Sequence, residues 1–432
     1  MTDLVVVLDG AVAGVVTNVA GKPNFTYLDD YADDINATAL SLSMPLAAGR
    51  VFDHRVTAPW LLNLLPDDAA VRDLLAREFG ASPNNSTALL AHVGLDCAGA
   101  VQLVEPERID DALNGSGWLE DANDAQLGER LRRLRDAPAQ WLGADERWSL
   151  AGAQSKFTAV RTDHGWAYAR GSAASTHIIK PGIGRFPGQA FNEHLCLRAL
   201  ADVGVTSASS EYVEFDGAAA IVVERYDRIR TADGRVLRLH QEDMCQALSV
   251  PPDRKYASDG GPSATAIAGL LAREAAQSDV DRFTDLVVAQ YLLGAPDGHA
   301  KNYSVILDGL DVILAPAYDI ASSLPYDPSR GSGLARIAMP IAGRSKFGEV
   351  TLRHIEKFAG AAGTDPDRLV ARTREMAAAL PDALARVDPD ATDDAMVALR
   401  ANLVDAVAEH CATLRDPTPT APPARGRSGD QP

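Results

Sequence analysis

Hydrophobic residues near the N-terminus form short, β-branched runs that are typical of strands. A run over Leu4–Leu8 and another over 12–16 flank an Asp-Gly dipeptide, which favours a tight hairpin turn. Apolar residues then recur at helical spacing over 57–80, and this spacing predicts a helix that continues to residue 80. Together with a further helix and strand, these elements predict a small N-terminal unit over residues 1–105.

The pattern changes at Trp148, where short strand-like segments begin. Strands are predicted at 157–161, 166–169, 177–180, 211–215 and 218–224, with a helix at 192–203 between the third and the fourth. This mixture of strands and a helix predicts an α/β lobe over 147–228. The preceding stretch 106–146 is charged and rich in loops, apart from one amphipathic helix at 127–135, and we predict a connecting segment there.

Beyond residue 240 the hydrophobic spacing becomes helical. Apolar residues fall on one helical face over 283–292, and 350–414 predicts further amphipathic helices. One hairpin over 303–315 interrupts them, with a polar turn between two apolar strands. The sequence thus predicts an α+β fold with a mostly helical C-terminal lobe over 229–415. The tail at 416–432 is rich in Pro, Gly, Ser and Arg and is predicted to be disordered.

Length and composition restrict the class of protein. The chain has 432 residues, more than one compact core usually holds, so two or three packed units are expected. Its 41 Lys and Arg against 59 Asp and Glu give a formal net charge of −18, which argues against a protein that coats nucleic acid by itself. Long apolar stretches, a secretory signal pattern and paired cysteine spacings are all absent from the sequence, so we expect a cytoplasmic protein without a membrane span.

A segment of small residues before the first strand of the lobe is a candidate phosphate-binding loop. It follows Ser149 and includes Ala151, Gly152, Ala153, Gln154, Ser155 and Lys156. Small side chains let backbone N–H groups approach a ligand closely, which suits phosphate. The spacing is not that of a Walker P-loop, and an ordinary tight loop is the alternative.

Two further features would suit a nucleotide. Lys180 closes a predicted buried strand, where its ammonium needs an anion such as the α and β phosphates of ATP. Glu193, early in the next helix, is a possible partner for this lysine, although an acid there also complements the helix dipole. A strand that ends at Glu224, Arg225 and Tyr226 lies at the predicted junction of two lobes, where its backbone could meet an adenine edge.

The strongest signal is a polar loop after the apolar helix at 283–292. Asp297 and Asn302 have the Asp-x-x-x-x-Asn spacing of kinase catalytic loops, in which the Asp orients or deprotonates a hydroxyl and the Asn holds Mg²⁺. Asp319 follows the next hairpin, where kinases place a second Mg²⁺ ligand. A plain helix-ending turn is the alternative, because Asp, Gly and Asn favour turns. The order of all these features predicts phosphoryl transfer from ATP.

The chain also resembles a known family. The segments SLAGAQSK, STHIIKPG, NEHLCL, VVERYDR, HQEDMCQAL, KYASDGGP, LLGAPDGHAKNYSV and APAYDI are similar, in the same order, to HipA, the serine/threonine-kinase toxin of bacterial type II toxin–antitoxin pairs. LSLSMPL and NLLPDDAAVRD are similar to the family's N-terminal domain. The resemblance therefore covers nearly the whole chain, apart from the 416–432 tail.

The resemblance implies a kinase-like fold of two lobes with an extra N-terminal subdomain. It implies that Asp297 is the catalytic base and that Asn302 and Asp319 hold Mg²⁺. It also implies that ATP is contacted by Ala151, Gly152, Ala153, Gln154, Ser155, Lys156, Lys180, Glu224, Arg225, Tyr226, His299, Ala300, Lys301, Asn302 and Asp319. In the family, the serine at the position of Ser149 is autophosphorylated, which ejects the phosphate loop and switches the kinase off.

The resemblance also implies partners. The substrate would be a cytosolic protein, glutamyl-tRNA synthetase by family precedent, and a small helix-turn-helix antitoxin would carry most of the contact with DNA. The segment 181–191 is shorter than the corresponding segment of the family prototype, which leaves the protein substrate open. Two alternatives remain at this point, namely a binding module that acts as a co-repressor with the antitoxin and a kinase for a small molecule.

Overall fold

The N-terminal unit is built on an antiparallel sheet. The computed structural model describes residues 3–137, 139–140, 146–326, 334–387 and 393–415, so the predicted tail lies outside the described residues. The strands of the N-terminal unit are β1 (Leu4–Leu8), β2 (Ala11–Val19), β3 (Lys22–Tyr27), β4 (Val51–Phe52), β5 (Asp96–Cys97) and β6 (Gln102–Val104). Five of them pair in the order β4-β3-β2-β1-β6. The predicted hairpin is confirmed, since Asp9 and Gly10 join β1 to β2 with positive φ angles of 50° and 75°.

The helices of this unit differ from the sequence prediction at one place. They are α1 (Asp29–Ala32), α2 (His54–Asn63), α3 (Ala69–Glu78) and α4 (Ser86–Val93). The single helix predicted over 57–80 is wrong, because the chain leaves the helical path after α2, and five residues separate the end of α2 from the start of α3. Pro66 lacks an N–H donor and disfavours a helical conformation at the residue before it. Asp68 then caps α3 by accepting a hydrogen bond from the Ala70 N–H.

The next part of the chain forms a six-stranded sheet. Its elements are α5 (Ile109–Leu113), β7 (Trp118–Ala122), α6 (Asp124–Asp136), β8 (Trp148–Ser149), β9 (Phe157–Thr162), β10 (Gly165–Arg170), β11 (His177–Lys180), α7 (Gln189–Asp202), β12 (Ser210–Phe215) and β13 (Ala218–Glu224). The sheet order is β12-β13-β11-β9-β10-β7. The predicted connecting segment 106–146 therefore belongs partly to this lobe, because β7 pairs with β10 and α6 packs on β12 and β13.

The C-terminal lobe is mostly helical, as predicted. Its helices are α8 (Met244–Ala247), α9 (Ala264–Glu274), α10 (Gln277–Leu293), α11 (Leu352–Ala362), α12 (Pro366–Arg386) and α13 (Asp394–Arg415). Its strands, which begin at the junction of the lobes, are β14 (Arg228–Arg230), β15 (Val236–Arg238), β16 (His240–Asp243), β17 (Ser304–Asp308), β18 (Asp311–Leu314), β19 (Arg336–Ile341) and β20 (Arg344–Lys346). The predicted hairpin is β17–β18, and β16 adds a third strand that the sequence pattern did not indicate.

The hydrophobic core joins the N-terminal unit to the six-stranded sheet. Phe25 and Trp60 of the unit belong to the same buried cluster as Phe157 and Phe215 of the sheet. A second cluster fills the C-terminal lobe and includes the inner face of α7. Because burial of large side chains is the main stabilising contribution to folding, the N-terminal unit packs as part of the body rather than as a tethered domain. Within the described ranges, the helices are all too short or too polar to cross a bilayer.

Candidate active site

A lysine at the end of β11 lies between carboxylates from two other elements. The Lys180 ammonium is 2.8 Å from Glu193 Oε1 on α7 and 2.7 Å from Asp319 Oδ1, which follows β18. Burial alone lowers the pKa of Lys180, but the charges of Asp319 and Glu193 outweigh burial and hold the pKa above its ordinary value. The structure thus brings together three residues that the sequence analysis singled out, and it fixes a cation where the two lobes meet.

Asp319 has an unusual backbone conformation. Its φ of 58° lies in the left-handed region, which is unfavourable for a residue other than glycine and is concentrated at functional sites. Burial raises the pKa of its carboxyl, but Lys180 and Lys156 lower it to about 2, so the group is ionised at neutral pH. The hydroxyl of the preceding Tyr318 donates to the Lys301 carbonyl over 2.8 Å. This bond ties Asp319 to the loop that follows α10.

That loop folds back on its own first residues. The Asn302 amide nitrogen and the His299 N–H both donate to the Asp297 carbonyl, over 2.6 Å and 2.9 Å. Because the amide nitrogen of Asn302 is used in this bond, its amide oxygen is the atom that can face a cation. The Asp297 side chain is 60% exposed, so its carboxylate is accessible to an incoming hydroxyl.

A tyrosine that the sequence analysis did not assign to the site holds Asp297. The Tyr256 hydroxyl donates a hydrogen bond of 2.6 Å to Asp297 Oδ1, and its ring meets His299 edge-on at 4.8 Å. Burial and the neighbouring Asp297 charge raise the pKa of the Tyr256 phenol, so the phenol stays protonated and remains a donor. The KYASDGGP segment, which contains Tyr256, points to the site only through the family resemblance, because a separation of 41 residues from Asp297 gives no local sequence signal.

The candidate phosphate loop contains a second buried lysine. The Lys156 ammonium donates to the Ala151 carbonyl, and a Cβ atom at residue 152 would lie 2.6 Å from it. Gly152 also has a φ of 105°, a backbone conformation that residues with a side chain rarely adopt, so the conformation favours glycine there. Burial and the charge of Lys180 lower the pKa of Lys156 to about 8. The loop is held to α7 by a hydrogen bond of 3.1 Å from Gln154 Nε2 to Gln189 Oε1.

Ser149 precedes this loop and is buried. It lies in β8, which pairs in parallel with β5, and only 1% of the residue is exposed. Its hydroxyl donates to the Leu64 carbonyl over 2.8 Å. The site predicted to be phosphorylated is therefore inside the protein in this conformation.

The residues at the junction of the lobes differ in where they face. Glu224 is exposed at the end of β13, and the Tyr226 ring stacks on Tyr318 with centroids 5.8 Å apart. The Arg225 guanidinium instead donates to Asp227 and to the Cys97 carbonyl. The main-chain N–H of Arg225 donates to the Thr176 carbonyl. The Arg225 side chain thus faces the N-terminal unit. The stacked Tyr226 and Tyr318 rings form a flat surface next to Asp319.

The remaining residues of the loop at 297–302, the candidate catalytic loop, also face different ways. Ala300 is buried in a short 3-10 turn, and the Lys301 ammonium is bonded to Asn63 of the N-terminal unit. His299 is buried with Nε2 3.9 Å from Asp297 Oδ1, and burial lowers its pKa, which favours a neutral ring. Among the described residues, His299 Nδ1 has no hydrogen-bond partner. Such an unsatisfied buried atom favours a polar ligand beside it.

Comparisons with known proteins agree with this geometry. Residues 148–384 match the model of the HipA-like C-terminal domain, and residues 4–104 match that of the HipA N-terminal domain. The chain belongs to the HipA family. A protein of Sinorhizobium fredii named as a kinase, Y4mE, is 37% identical over 416 residues, which cover 94% of this chain and 97% of that protein. The serine/threonine-protein kinase toxin HipA of Shewanella oneidensis is 27% identical over 84% of each chain.

A solved structure has the same fold. The HipA of Shewanella oneidensis MR-1, in complex with HipB and operator DNA, superposes with a TM-score of 0.81 at 25% identity and covers 94% of this chain and 96% of its own. The kinase-like α+β fold predicted from the sequence is thereby confirmed. The chain is a kinase of the HipA family, and ATP use follows from that membership.

The donor set of this HipA-family kinase fits a magnesium nucleotide. The described part of the chain contains no cluster of three or more His, Cys, Asp or Glu side chains that could hold a metal by itself. Asn302 and Asp319 offer one amide oxygen and one carboxylate, which are hard donors. A cation there would need phosphate oxygens and water to complete its shell, as Mg²⁺ does in kinases. Lys156 and Lys180 place two positive charges close to Asp319, and such charges are suited to phosphate groups.

Proposed function

We propose that this HipA-family kinase transfers the γ-phosphoryl group of ATP to a serine or threonine of a protein and acts as the toxin of a toxin–antitoxin pair. The observation that carries the proposal is the placement of Lys180 between Glu193 and Asp319, beside a loop in which Asn302 fixes Asp297. Four separate segments of the sequence meet there, and each brings a residue type that phosphoryl transfer needs.

The binding step uses the two lysines and the two tyrosines. Lys180 and Lys156 would neutralise phosphate oxygens, and the Tyr226–Tyr318 pair offers a flat face to a purine ring. Asn302 and Asp319 would hold Mg²⁺, which supplies further neutralisation of the β and γ phosphates when it is bound. Asp319 is already ionised at neutral pH, so it needs no proton loss to serve as a ligand.

The transfer step uses Asp297. Its carboxylate would accept the proton of the acceptor hydroxyl as the bond from that oxygen to the γ phosphorus forms. The bond from the γ phosphorus to the bridging oxygen breaks at the same time, and ADP leaves. The Tyr256 hydroxyl bonds one carboxylate oxygen of Asp297 and so leaves the other oxygen to the substrate. The acceptor protein that we propose is glutamyl-tRNA synthetase, on the family resemblance.

We also propose that Ser149 is the autophosphorylation site. The loop that follows Ser149 would have to leave its place, because the serine is buried and bonded to Leu64. A phosphate on Ser149 would carry nearly two negative charges, and these could not return to an interior site without a matching cation. Phosphorylation would therefore hold the phosphate loop outside its present position and inactivate the kinase.

A small DNA-binding antitoxin is the partner that we propose. The related HipA of Shewanella oneidensis was solved with HipB and operator DNA, which favours a similar assembly and a second function as co-repressor. The net charge of −18 opposes direct contact with phosphates over a large surface. In such an assembly the antitoxin would supply most of the positive charge at the DNA.

The experiment is a transfer assay with labelled ATP. Purified protein is incubated with Mg²⁺, γ-labelled ATP and glutamyl-tRNA synthetase, and we expect label on the synthetase and on Ser149. Asp297→Asn should abolish both, whereas Asp311→Asn, an exposed change at the start of β18, should abolish neither. Loss of labelling with EDTA and recovery with added Mg²⁺ would support the metal. An inactive wild-type protein, or an Asp297→Asn protein as active as wild type, would contradict the proposal.

A further inference from the structure

A short segment of the N-terminal unit contacts both loops of the proposed active site. This segment, residues 63–67, consists of the last residue of α2 and the first four residues of the link to α3, and it has the sequence Asn-Leu-Leu-Pro-Asp. It lies outside the residues to which the kinase reaction assigns a role. Its contacts fall on three separate parts of the chain, namely the phosphate loop, the Lys255–Tyr256 pair and the catalytic loop.

The 63–67 segment makes two hydrogen bonds to the phosphate loop and its approach, one to the side chain of Ser149 and one to the backbone of Gly152. The Leu64 carbonyl accepts the hydroxyl of Ser149 over 2.8 Å, and the Asp67 N–H donates to the Gly152 carbonyl over 3.0 Å. Both bonds involve main-chain atoms of the segment. A change of side chain at residue 67 therefore leaves the bond to Gly152 possible.

On the catalytic loop, the same segment surrounds a buried lysine. The Lys301 ammonium donates to Asn63 Oδ1 over 2.7 Å and to the Asn63 carbonyl over 3.1 Å. Asp67 Oδ1 lies 3.3 Å from the same nitrogen. Lys301 is directly before Asn302, so its ammonium anchors the residue that fixes the Asp297 carbonyl.

The carboxylate of Asp67 binds a second lysine as well. Lys255 Nζ lies 2.7 Å from Asp67 Oδ2, and the Lys255 carbonyl accepts the Ala300 N–H over 3.1 Å. The next residue is Tyr256, whose hydroxyl bonds Asp297. Two chains of contacts thus run from Asp67 to Asp297, one through Lys255 and Tyr256 and the other through Lys301 and Asn302.

The charges at Asp67 depend on one another. The Asp67 side chain is 7% exposed and that of Lys301 is 2% exposed, so neither is well solvated. Burial raises the pKa of Asp67, but Lys301 and Lys255 outweigh burial and hold the pKa well below its usual value. Removing the negative charge would leave two lysines with less compensation, and they would move towards water or other acids.

We propose that Asp67 is a positioning residue for phosphoryl transfer, through which the N-terminal unit sets the orientation of Asp297. The inference rests on the proposed role of Asp297 as the base. Asp67 is not among the residues proposed to contact the nucleotide or the acceptor. It fixes Lys255 and Lys301, and these fix Tyr256 and Asn302 on either side of Asp297. The N-terminal unit is then required for a fast chemical step, in addition to its packing role.

The test is the steady-state kinetics of Asp67→Asn in the full chain, with Asp68→Asn as the matched control. Asparagine keeps the shape of residue 67 and the main-chain bond to Gly152, and at residue 68 it preserves the cap of α3. We expect Asp67→Asn to lower kcat about 10- to 100-fold, the loss typical of a misplaced catalytic group, with KM for ATP changed less than about threefold. Asp68→Asn should leave both constants near wild type.

A second comparison separates positioning from a general loss of structure. If Asp67 acts partly through Tyr256, the Asp67→Asn change should lower kcat by a clearly smaller factor in the Tyr256→Phe protein than in the wild-type protein. If Asp67→Asn does not fold, Lys255→Met removes the same contact from the other side and should give the same split between kcat and KM. An unchanged kcat, or a fall in kcat matched by a rise in KM and a lower unfolding midpoint, would overturn the inference. An inactive wild-type protein would instead contradict the proposed function.

Discussion

Ser149 and Leu64 are joined by a hydrogen bond of 2.8 Å between a buried hydroxyl and a main-chain carbonyl, across a sequence separation of 85 residues. The bond connects the start of the phosphate loop to the N-terminal unit. It has a consequence for regulation, because the proposed phosphorylation of Ser149 requires that it break first. Under the proposed phosphorylation, the position of the phosphate loop and the modification state of Ser149 would therefore be coupled.

The first prediction concerns this coupling. Ser149→Ala should keep the loop in place, since it removes one hydrogen bond worth about 1 kcal/mol and adds no charge. Ser149→Asp should displace the loop, because an unpaired carboxylate at this buried position is far more costly. We expect Ser149→Ala to retain kinase activity without self-labelling, and Ser149→Asp to bind ATP at least tenfold more weakly. Titration with a fluorescent ATP analogue would measure the affinities, and equal affinities in the two variants would contradict the coupling.

The second prediction concerns the lysine between two carboxylates. Lys180→Met should abolish phosphoryl transfer and also lower the free energy of unfolding by about 3 to 5 kcal/mol, because Glu193 and Asp319 lose their shared cation. Adding Glu193→Gln should restore part of the stability, since the Glu193 carboxylate, which is the more deeply buried of the two, is replaced by a neutral amide. Activity should stay absent in the double variant. Urea unfolding and the transfer assay measure the two effects separately.

If Glu193→Gln destabilises the Lys180→Met protein further, the uncompensated charge of the buried Glu193 carboxylate is not the cause of the lost stability, and this explanation is contradicted. A suitable control is Glu356→Gln, an exposed change on α11, which should alter the stability of either background by less than about 0.5 kcal/mol.

The sequence predicted most of the lobe that carries the phosphate loop. The strands β9, β11 and β13 lie within a residue or two of their predicted places, because each is a short apolar run bounded by polar or turn residues. The link at 64–68 was missed because apolar residues continue through it at helical spacing. Pro66 was the local signal that could have divided the helix.

The site was only partly predictable. Asp297, Asn302 and Asp319 could be proposed from the sequence because they are close along the chain and their spacing is that of kinases. Tyr256, Lys255 and Asp67 could not, since their proposed roles depend on contacts between residues that are distant along the chain. Arg225 illustrates the converse case, because its position at the junction of the lobes was correct but its side chain turns to the N-terminal unit. Sequence spacing indicates which element carries a candidate residue. The direction in which its side chain points depends on how it packs in the folded protein.

The last prediction is a dependence of stability on pH that arises where the N-terminal unit meets β16. Glu242 is buried and accepts hydrogen bonds from Ser41 Oγ over 2.6 Å and from the Leu42 N–H over 2.7 Å. Burial raises the pKa of Glu242 from 4.5 to about 8 despite these bonds. Between those two pH values the folded protein keeps a proton that the unfolded chain releases.

The free energy of unfolding should therefore contain a contribution from Glu242 that is present at acid pH and is lost as the pH rises to about 8. The slope for one proton is at most about 1.4 kcal/mol per pH unit. Glu242→Gln mimics the protonated form, because its amide can accept from Leu42 and donate to Ser41, and it should gain stability relative to wild type as the pH rises. Urea unfolding at pH 5, 6.5 and 8 measures this difference. Glu356→Gln is again the control, and a constant difference between Glu242→Gln and wild type at all three pH values would show that Glu242 does not titrate in this range.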